Sequence, residues 1–310
     1  VNGETVTADL LIMAIGVRPA SKIALEAGLP ANAKGALIVN SAMETGVPGI
    51  YAVGDLIEVE HYVTGEKNYI PLAGPANKQG RIAADNICGI PSRYTGTQGS
   101  SILKVFDLAV ASTGINEKAA QALHLNYEKS FTFSANHATY YPGATNMSIK
   151  TIYEKDTGKI LGVQIVGNDG VDKRCDVFAT AIRAGMTAKD LTELELCYAP
   201  PFGSAKDPVN MAGYVIENTL NGLVVPFHWH DIEAIRKDPN AFLLDTRNPM
   251  EYAAGTIPGF VNIPLDSLRD RLDEIPKDKT IYVTCQIGLR GYIAARILMQ
   301  KGYTVRNLSG

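Results

Sequence analysis

The run Ile50-Tyr-Ala-Val-Gly-Asp55, followed by the helix-like stretch from Pro75 to Cys88, most narrows what this chain can fold into. Apolar residues without polar alternation read as a short buried strand, and such strands belong to sheets covered by helices on both faces. Gly54 lets the backbone approach a neighbour closely. Asp55 then falls at the strand's carboxyl end, where open α/β sheets place their ligands. A carboxylate there accepts hydrogen bonds from the hydroxyls of a ribose or ribityl chain. Pro71-Leu-Ala-Gly-Pro75 leads into Asn77 to Cys88, whose helix start offers unpaired N–H groups and a positive dipole end to an anion or an electron-rich ring edge.

The same reading extends along the chain. Leu10-Leu-Ile-Met-Ala-Ile15 predicts another strand buried on both faces, ending at Gly16-Val-Arg-Pro19. Ser21 to Gly28 predicts a short helix with Gly28 as its C-cap, and Ala36 to Asn40 a further strand. From Ser100 to Gly222 the pattern changes. Leu103–Ala111, Met147–Tyr153 and Ile160–Val166 alternate apolar and polar residues, as half-buried antiparallel strands do. Lys155-Asp-Thr-Gly158 is the hairpin turn between the last two, and helices are expected over Asp172–Ala184, capped by Gly185, and Asp207–Leu220. Pro226 marks a linker. Residues 228–310 then alternate helix (Asp231–Lys237, Leu265–Leu272, Arg290–Lys301) and strand (Ala241–Leu244, Thr280–Thr284), a small α/β domain.

Composition excludes several classes. A net charge of −3 gives no pull toward nucleic acid or an anionic membrane, so neither is expected as a partner. No apolar run approaches the length of a membrane span, and no signal peptide is visible. The four cysteines, Cys88, Cys175, Cys197 and Cys285, form no CxxC pair and no zinc pattern, which points to a reducing, cytoplasmic compartment. Cys88 and Cys175 are expected to be core thiols. His228-Trp-His230 offers two imidazoles without a third ligand, so a packing motif is expected there and no metal site. Val1 to Asp9 resembles a hairpin entered midway and Ser309-Gly310 the turn after a strand, so the chain reads as part of a longer protein.

Two constellations carry chemistry. Cys285-Gln-Ile-Gly-Leu-Arg290 lies between a strand and a helix, where converging N–H groups favour a thiolate and hold an anion, with the charge of Arg290 beside it. This six-residue loop, with Leu244-Asp245-Thr-Arg247, Glu251-Tyr252, Gly259 and Asn262-Ile-Pro264, resembles the rhodanese family. The resemblance implies that Cys285 carries a sulfane sulfur as a persulfide and that Asp245 and Arg247 form a polar network beside it. Thr256 stands where many rhodanese domains have a His, which alters that network but leaves the loop intact.

The second constellation is Asn136-His-Ala-Thr-Tyr-Tyr-Pro-Gly143 with Leu196-Cys-Tyr-Ala-Pro-Pro-Phe-Gly-Ser-Ala-Lys-Asp-Pro208. Both stretches resemble those of the coenzyme A disulfide reductases and their persulfide-reducing relatives. The Asp55 motif, the order AIGVRP then TGVPGIYAVGD, and the alternating region resemble the wider disulfide reductases with two dinucleotide-binding domains. The resemblance implies an α/β and α+β multidomain protein: a partial FAD/NAD(P)-binding three-layer domain, an α+β reductase dimerisation domain and a rhodanese-like α/β domain. The corresponding ranges are 1–22 for the tail of the NAD(P)H-binding domain and 23–98 for the closing part of the FAD domain. They continue with 99–224 for dimerisation and 227–310 for a C-terminally incomplete rhodanese domain.

It further implies FAD and NAD(P)H as cofactors, with Gly54, Asp55, Leu72, Ala73 and Gly16 on the cofactor side. Tyr140 and Tyr198, with Tyr141 the fallback for the first, would donate to a departing thiolate across a homodimer interface. Lys206 would meet a coenzyme A phosphate, and Asn77 is a weaker substrate-side candidate. Lys206 also fits a solvated helix-entry lysine, and Asn77 a plain N-cap. Cys197 could lie near the flavin, and His137 could orient Tyr140 or be exposed. The expected activity is NAD(P)H-dependent reduction of coenzyme A disulfide, persulfide or polysulfide, with Cys285 exchanging sulfane sulfur. The redox cysteine is expected upstream of Val1, so the chain alone is not expected to turn over as a reductase. An NADH oxidase-like flavoprotein and a sulfurtransferase on a dimerising scaffold remain the alternatives.

Overall fold

Hydrogen-bonding partners decide which apolar runs become strands. The computed structural model describes residue 3 and residues 5–310, and the chain divides into two units, Val1–Gly99 and Ser100–Gly310. In the first, Leu10–Ile15 forms no strand; Leu10, Leu11, Ile12, Met13 and Ile15 are all more than 70% exposed. A doubly buried strand needs neighbours at both edges and layers on both faces. Among the described residues this run has none. Ala36–Asn40 and Ile50–Val53, expected as strands, are held by single bridges, including Leu37 with Ile57 and Tyr51 with Glu44. Their side chains still build a core of Leu37, Met43, Ala52, Ile57, Val59 and Ala83.

Helix α1 (Lys22–Glu26) ends at Ala27, and Gly28 follows with φ 78°, one residue beyond the cap rather than in it. A short antiparallel pair, β1 (Val59–Glu60) and β2 (Lys67–Asn68), precedes α2 (Ala73–Ile87). That helix starts earlier than Asn77, with Leu72 as its N-cap. Cys88, expected in the core, is its exposed C-cap.

The second unit contains two sheets. The first is antiparallel in the order β3-β4-β7-β6-β5, from β3 (Ser101–Val105), β4 (Leu108–Gly114), β5 (Tyr127–Ala135), β6 (Asn146–Glu154) and β7 (Ile160–Gly167). The expected single strand Leu103–Ala111 is a hairpin, turning at Phe106 with φ 52°. Its alternation runs straight through the turn, which carries no glycine, asparagine or proline to mark it. Helix α3 (Glu117–Ala122) follows β4. Helix α4 (Val171–Ala184) packs across β4 and β7, and α6 (Pro208–Leu220) against β5 and α5 (Ala188–Glu193).

The other sheet is wholly parallel, in the order β10-β9-β11-β12-β8. Its strands are β8 (Pro226–Phe227), β9 (Ala241–Asp245), β10 (Val261–Asn262), β11 (Thr280–Thr284) and β12 (Thr304–Leu308). Pro226, expected in a linker, opens the edge strand β8, a place where a missing N–H costs no ladder bond. The expected helix Asp231–Lys237 is a 3-10 turn, Trp229–Asp231, running into α7 (Ile232–Ile235), and Leu265–Asp270 is likewise 3-10. Helices α8 (Pro249–Ala254) and α9 (Leu289–Gln300) complete the layer, and Leu244, Ile263, Ile281, Val283 and Leu298 lie at its core.

Both sheets share a polar contact. His228, at the end of β8, is buried with its Nε2 2.9 Å from Glu128 Oε1 on β5. Burial alone would raise the Glu128 carboxyl; the His228 bond and the Lys129 N–H outweigh it and hold the group below its ordinary value.

Candidate functional site

Strands β9 and β11 end side by side, with Asp245 opposite Thr284, so the residues after each strand share one rim. Asp245 is fully buried, and Arg247 closes on it, Nε at 3.1 and 3.0 Å and Nη2 at 2.7 Å. Thr256 joins this pair from Oγ1, 3.2 Å from Asp245 Oδ2. Cys285 follows β11 half-buried, and the Gly288 N–H donates to its Sγ at 3.1 Å.

Arg290 does not stand as a free charge beside the sulfur. Its two terminal nitrogens each donate to Glu251 at 2.7 Å. Glu251 also completes a capping box with Asn248 at the start of α8. The Arg290 bonds first, and the Asn248 N–H second, hold its carboxyl down at about 2. The sequence motif contains Glu251 but assigns it no role; the spacing Asn248-x-x-Glu251, a capping box, was the signal for its position.

Tyr140 and Tyr198 meet, Oη to Oη at 2.7 Å. Tyr140 is 74% exposed and its phenol is raised by that bond first. Each loop has internal hydrogen bonds, Tyr141 N–H to Ala138 O at 2.9 Å and Phe202 N–H to Ala199 O at 2.8 Å, and a buried side chain links the two. Arg174 of α4, 1% exposed, reaches the Asn136 carbonyl at 2.8 Å and grips Asp207 from Nε (3.2 Å) and Nη2 (2.8 Å). Asp207 is the N-cap of α6, in a capping box with Asn210. The Ala138 N–H donates to Gly203 O at 2.9 Å, tying the two loops directly. Arg174 and Asp207 were missed as site residues because a charged side chain in a helix reads as solvated until its burial is known.

His137 is buried, with Nε2 3.3 Å from Pro142 O and its ring edge-on to Tyr141, so it orients Tyr141 and not Tyr140. Lys206 is exposed just ahead of Asp207, and Cys197 is exposed beside Tyr198. No hydrogen bond or ion pair among the described residues joins the Cys285 loop to the tyrosines.

In the first unit, Gly54 has φ 72° and its N–H donates to Gln79 Oε1 at 2.8 Å; Gln79 is nearly fully buried on α2. This amide, unmarked in the sequence, fastens the Gly54 turn to the helix. Asp55 lies in a 3-10 turn with an exposed carboxylate, and Tyr69 Oη donates to its carbonyl at 2.9 Å. Burial chiefly, then the Asp55 charge, raises the Tyr69 phenol. Leu72 and Ala73 begin α2 with no side-chain cap on its first N–H groups, while Asn77 is exposed inside the helix and is not its N-cap. A glycine turn, a carboxylate facing solvent and an uncapped helix start suit a ligand with hydroxyls and an electron-rich edge, as FAD has. Gly16, with φ 83°, is exposed and outside any helix or strand. Among the described residues no group of His, Cys, Asp and Glu is placed to hold a metal ion, and no helix is long and apolar enough to cross a membrane.

Three family models match consecutive parts of the chain. Residues 1–80 match the pyridine nucleotide-disulphide oxidoreductases, 100–208 their dimerisation domain, and 229–310 the rhodanese-like domain. The chain therefore combines pyridine nucleotide-disulphide oxidoreductase domains with a rhodanese-like domain.

More particularly, it is similar to a crystal structure of reduced Bacillus anthracis CoADR-RHD, at 53% identity and a TM-score of 0.96, covering 100% of this chain and 56% of that one. It is 37% identical over 212 residues to an NADH oxidase of Methanocaldococcus jannaschii, covering 68% of this chain and 47% of the relative. It is 36% identical over 216 residues to an NAD(P)H sulfur oxidoreductase (CoA-dependent) of Pyrococcus furiosus, covering 70% and 49% respectively. The chain thus spans about half the length of the curated relatives it matches.

Proposed function

We propose that this chain belongs to an NAD(P)H-dependent, FAD-containing reductase of coenzyme A disulfide or persulfide, acting as a homodimer through residues 99–224. Its rhodanese domain exchanges sulfane sulfur with the reductase substrate. The observation that carries this reading is the conjunction, on one chain, of the paired Tyr140 and Tyr198 hydroxyls with the Cys285 loop. Four free cysteines agree with a reducing, cytoplasmic setting.

FAD, when bound, supplies the relay that turns a hydride into electrons for sulfur. Asp55 would accept hydrogen bonds from its ribityl hydroxyls, Gly54 would let the backbone approach it, and Leu72 and Ala73 would offer the start of α2 to its ring edge. Gly16 would serve the NAD(P)H side. The Tyr140–Tyr198 pair donates its one outward hydroxyl hydrogen to the coenzyme A thiolate as its S–S bond breaks, lowering the charge that develops on sulfur. Lys206 would meet a phosphate of that coenzyme, and Asn77 is a weaker candidate for contact with substrate.

At the other site, the Cys285 thiolate attacks the outer sulfur of a sulfane donor. A Cys285 S–S bond forms, the donor's S–S bond breaks, and the donor leaves as a thiolate. Coenzyme A thiolate then takes that sulfur by the reverse exchange, restoring Cys285 and giving the persulfide for reduction. Gly288 stabilises the sulfur through its N–H. The Asp245–Arg247–Thr256 network and the Arg290–Glu251 pair hold the rim on which the donor lands.

The experiment is NAD(P)H consumption by the intact protein with coenzyme A disulfide, coenzyme A persulfide or oxygen as acceptor. Preference for either coenzyme A species upholds the proposal. Preference for oxygen overturns it in favour of an oxidase, a reading that the name of the M. jannaschii relative supports. Cys285→Ser separates the remaining alternative: a pure sulfurtransferase loses all activity, whereas the reductase keeps its turnover of coenzyme A disulfide.

A further inference from the structure

We propose that Asn307 is a positioning residue for the Cys285 loop, holding Gly288 so that its N–H faces the Cys285 sulfur. Asn307 lies on β12, opposite Val283 of β11, and so sits beneath the loop that follows β11. It is 8% exposed, and its Nδ2 donates to the Gly288 carbonyl at 3.3 Å. The Tyr292 N–H reaches the same carbonyl at 2.8 Å as the first turn of α9 closes. Gly288 is therefore fixed on its carbonyl side by two donors while its own N–H, 3.1 Å from the Cys285 Sγ, serves the thiol. Its backbone, at φ 89° and ψ −27°, is left-handed and open to glycine at least cost, so the orientation depends on what holds it.

The opposite end of the same amide supplies an independent observation. Asn307 Oδ1 is buried with no hydrogen-bond partner. A side chain begun at Gly291 would place its Cβ 2.1 Å from that oxygen. The first turn of α9 thus lies directly on the amide, and only a residue without a side chain allows it. A buried acceptor left unpaired is costly. Here the cost accompanies an amide wedged between Gly288 and Gly291. The charged groups of the rim, Arg290 with Glu251 and Arg247 with Asp245, are paired among themselves.

The consequence for sulfur transfer rests on the proposed role of Cys285, but the positioning itself does not. The test is the pH profile of Cys285 alkylation by iodoacetamide, read on its own peptide by mass spectrometry in the intact protein. Asn307→Leu is similar in size, removes the donor and adds no charge beside Cys285; Gly291→Ala displaces the amide from the other side. Both are expected to move the alkylation midpoint to higher pH, slowing the reaction below that midpoint by roughly 3- to 10-fold, as loss of one hydrogen bond to a thiolate does. Should Asn307→Leu fail to fold, Gly291→Ala carries the test. Wild-type midpoints in folded variants overturn the proposal. Loading with thiosulfate separates the two readings. A shifted midpoint in a protein that never accepts sulfane sulfur at Cys285 upholds the positioning and removes the carrier role. Sulfur loading with unmoved midpoints does the reverse.

Discussion

Around Cys285 the group that touches the sulfur comes from the same short loop, whereas Tyr140 and Tyr198 stand 58 residues apart and meet through a buried ion pair that neither belongs to. The first arrangement comes mainly from chain geometry: a parallel strand, a glycine turn and a helix start bring N–H groups together, and from outside the loop the Asn307 amide of the adjoining strand bonds to it. The second depends on tertiary structure, because Arg174, Asp207 and Asn136 must fold into place before the hydroxyls can pair. The local site should therefore tolerate damage that dismantles the distant one.

Arg174→Ala tests this most severely. It removes the two-nitrogen grip on buried Asp207, leaving Lys173 at 4.0 Å and the Val209 N–H at 3.0 Å; it should cost about 3 kcal/mol, measured by urea unfolding of the intact protein, and should separate the two loops. Stability within about 1 kcal/mol of wild type would mean that the loops hold each other and the contrast is false. Tyr140→Phe comes next. It removes one hydroxyl of the pair and should slow reduction of coenzyme A disulfide by about 10²-fold while leaving sulfur loading of Cys285 unchanged; equal losses in both assays would show that the sites are not separate.

The pH dependence is smaller and belongs to the local site. Glu251 is held at about 2, below its ordinary 4.5, so its pairing with Arg290 stabilises the fold fully above pH 4.5. That contribution should fade as pH falls toward 2. Acid unfolding followed by circular dichroism should show the fade in wild type and not in Glu251→Gln. Smallest of all is Thr256→Val, which deletes one hydrogen bond to Asp245 and should cost about 0.5–1.5 kcal/mol by thermal melting.

The same contrast explains what was legible in the sequence. The strand–Cys285–helix unit could be read because each of its parts is a local signal, and the parallel sheet followed from alternating helix and strand. The likeness of the tyrosine loops could be seen, but the Arg174–Asp207 node beneath them could not, since no spacing rule links a helix interior to an N-cap downstream. Strand β5 escaped notice because Lys129, Ser130 and Thr132 are buried on it and blunt its apolar pattern. Leu10–Ile15 failed for the converse reason: the apolar pattern was clear, but the described residues provide nothing for it to pair with.

The tyrosine pair has one further property. Two hydroxyls own two hydrogens, and the contact at 2.7 Å occupies one of them, whichever ring supplies it. One hydrogen is therefore left to point outward, always from the ring that is the acceptor in the pair. Rotating both C–O bonds together exchanges the roles and moves the outward hydrogen from one ring to the other without parting the oxygens. A sulfur beside either ring can receive a single proton, and the pair then carries one negative charge shared between two oxygens until solvent restores it.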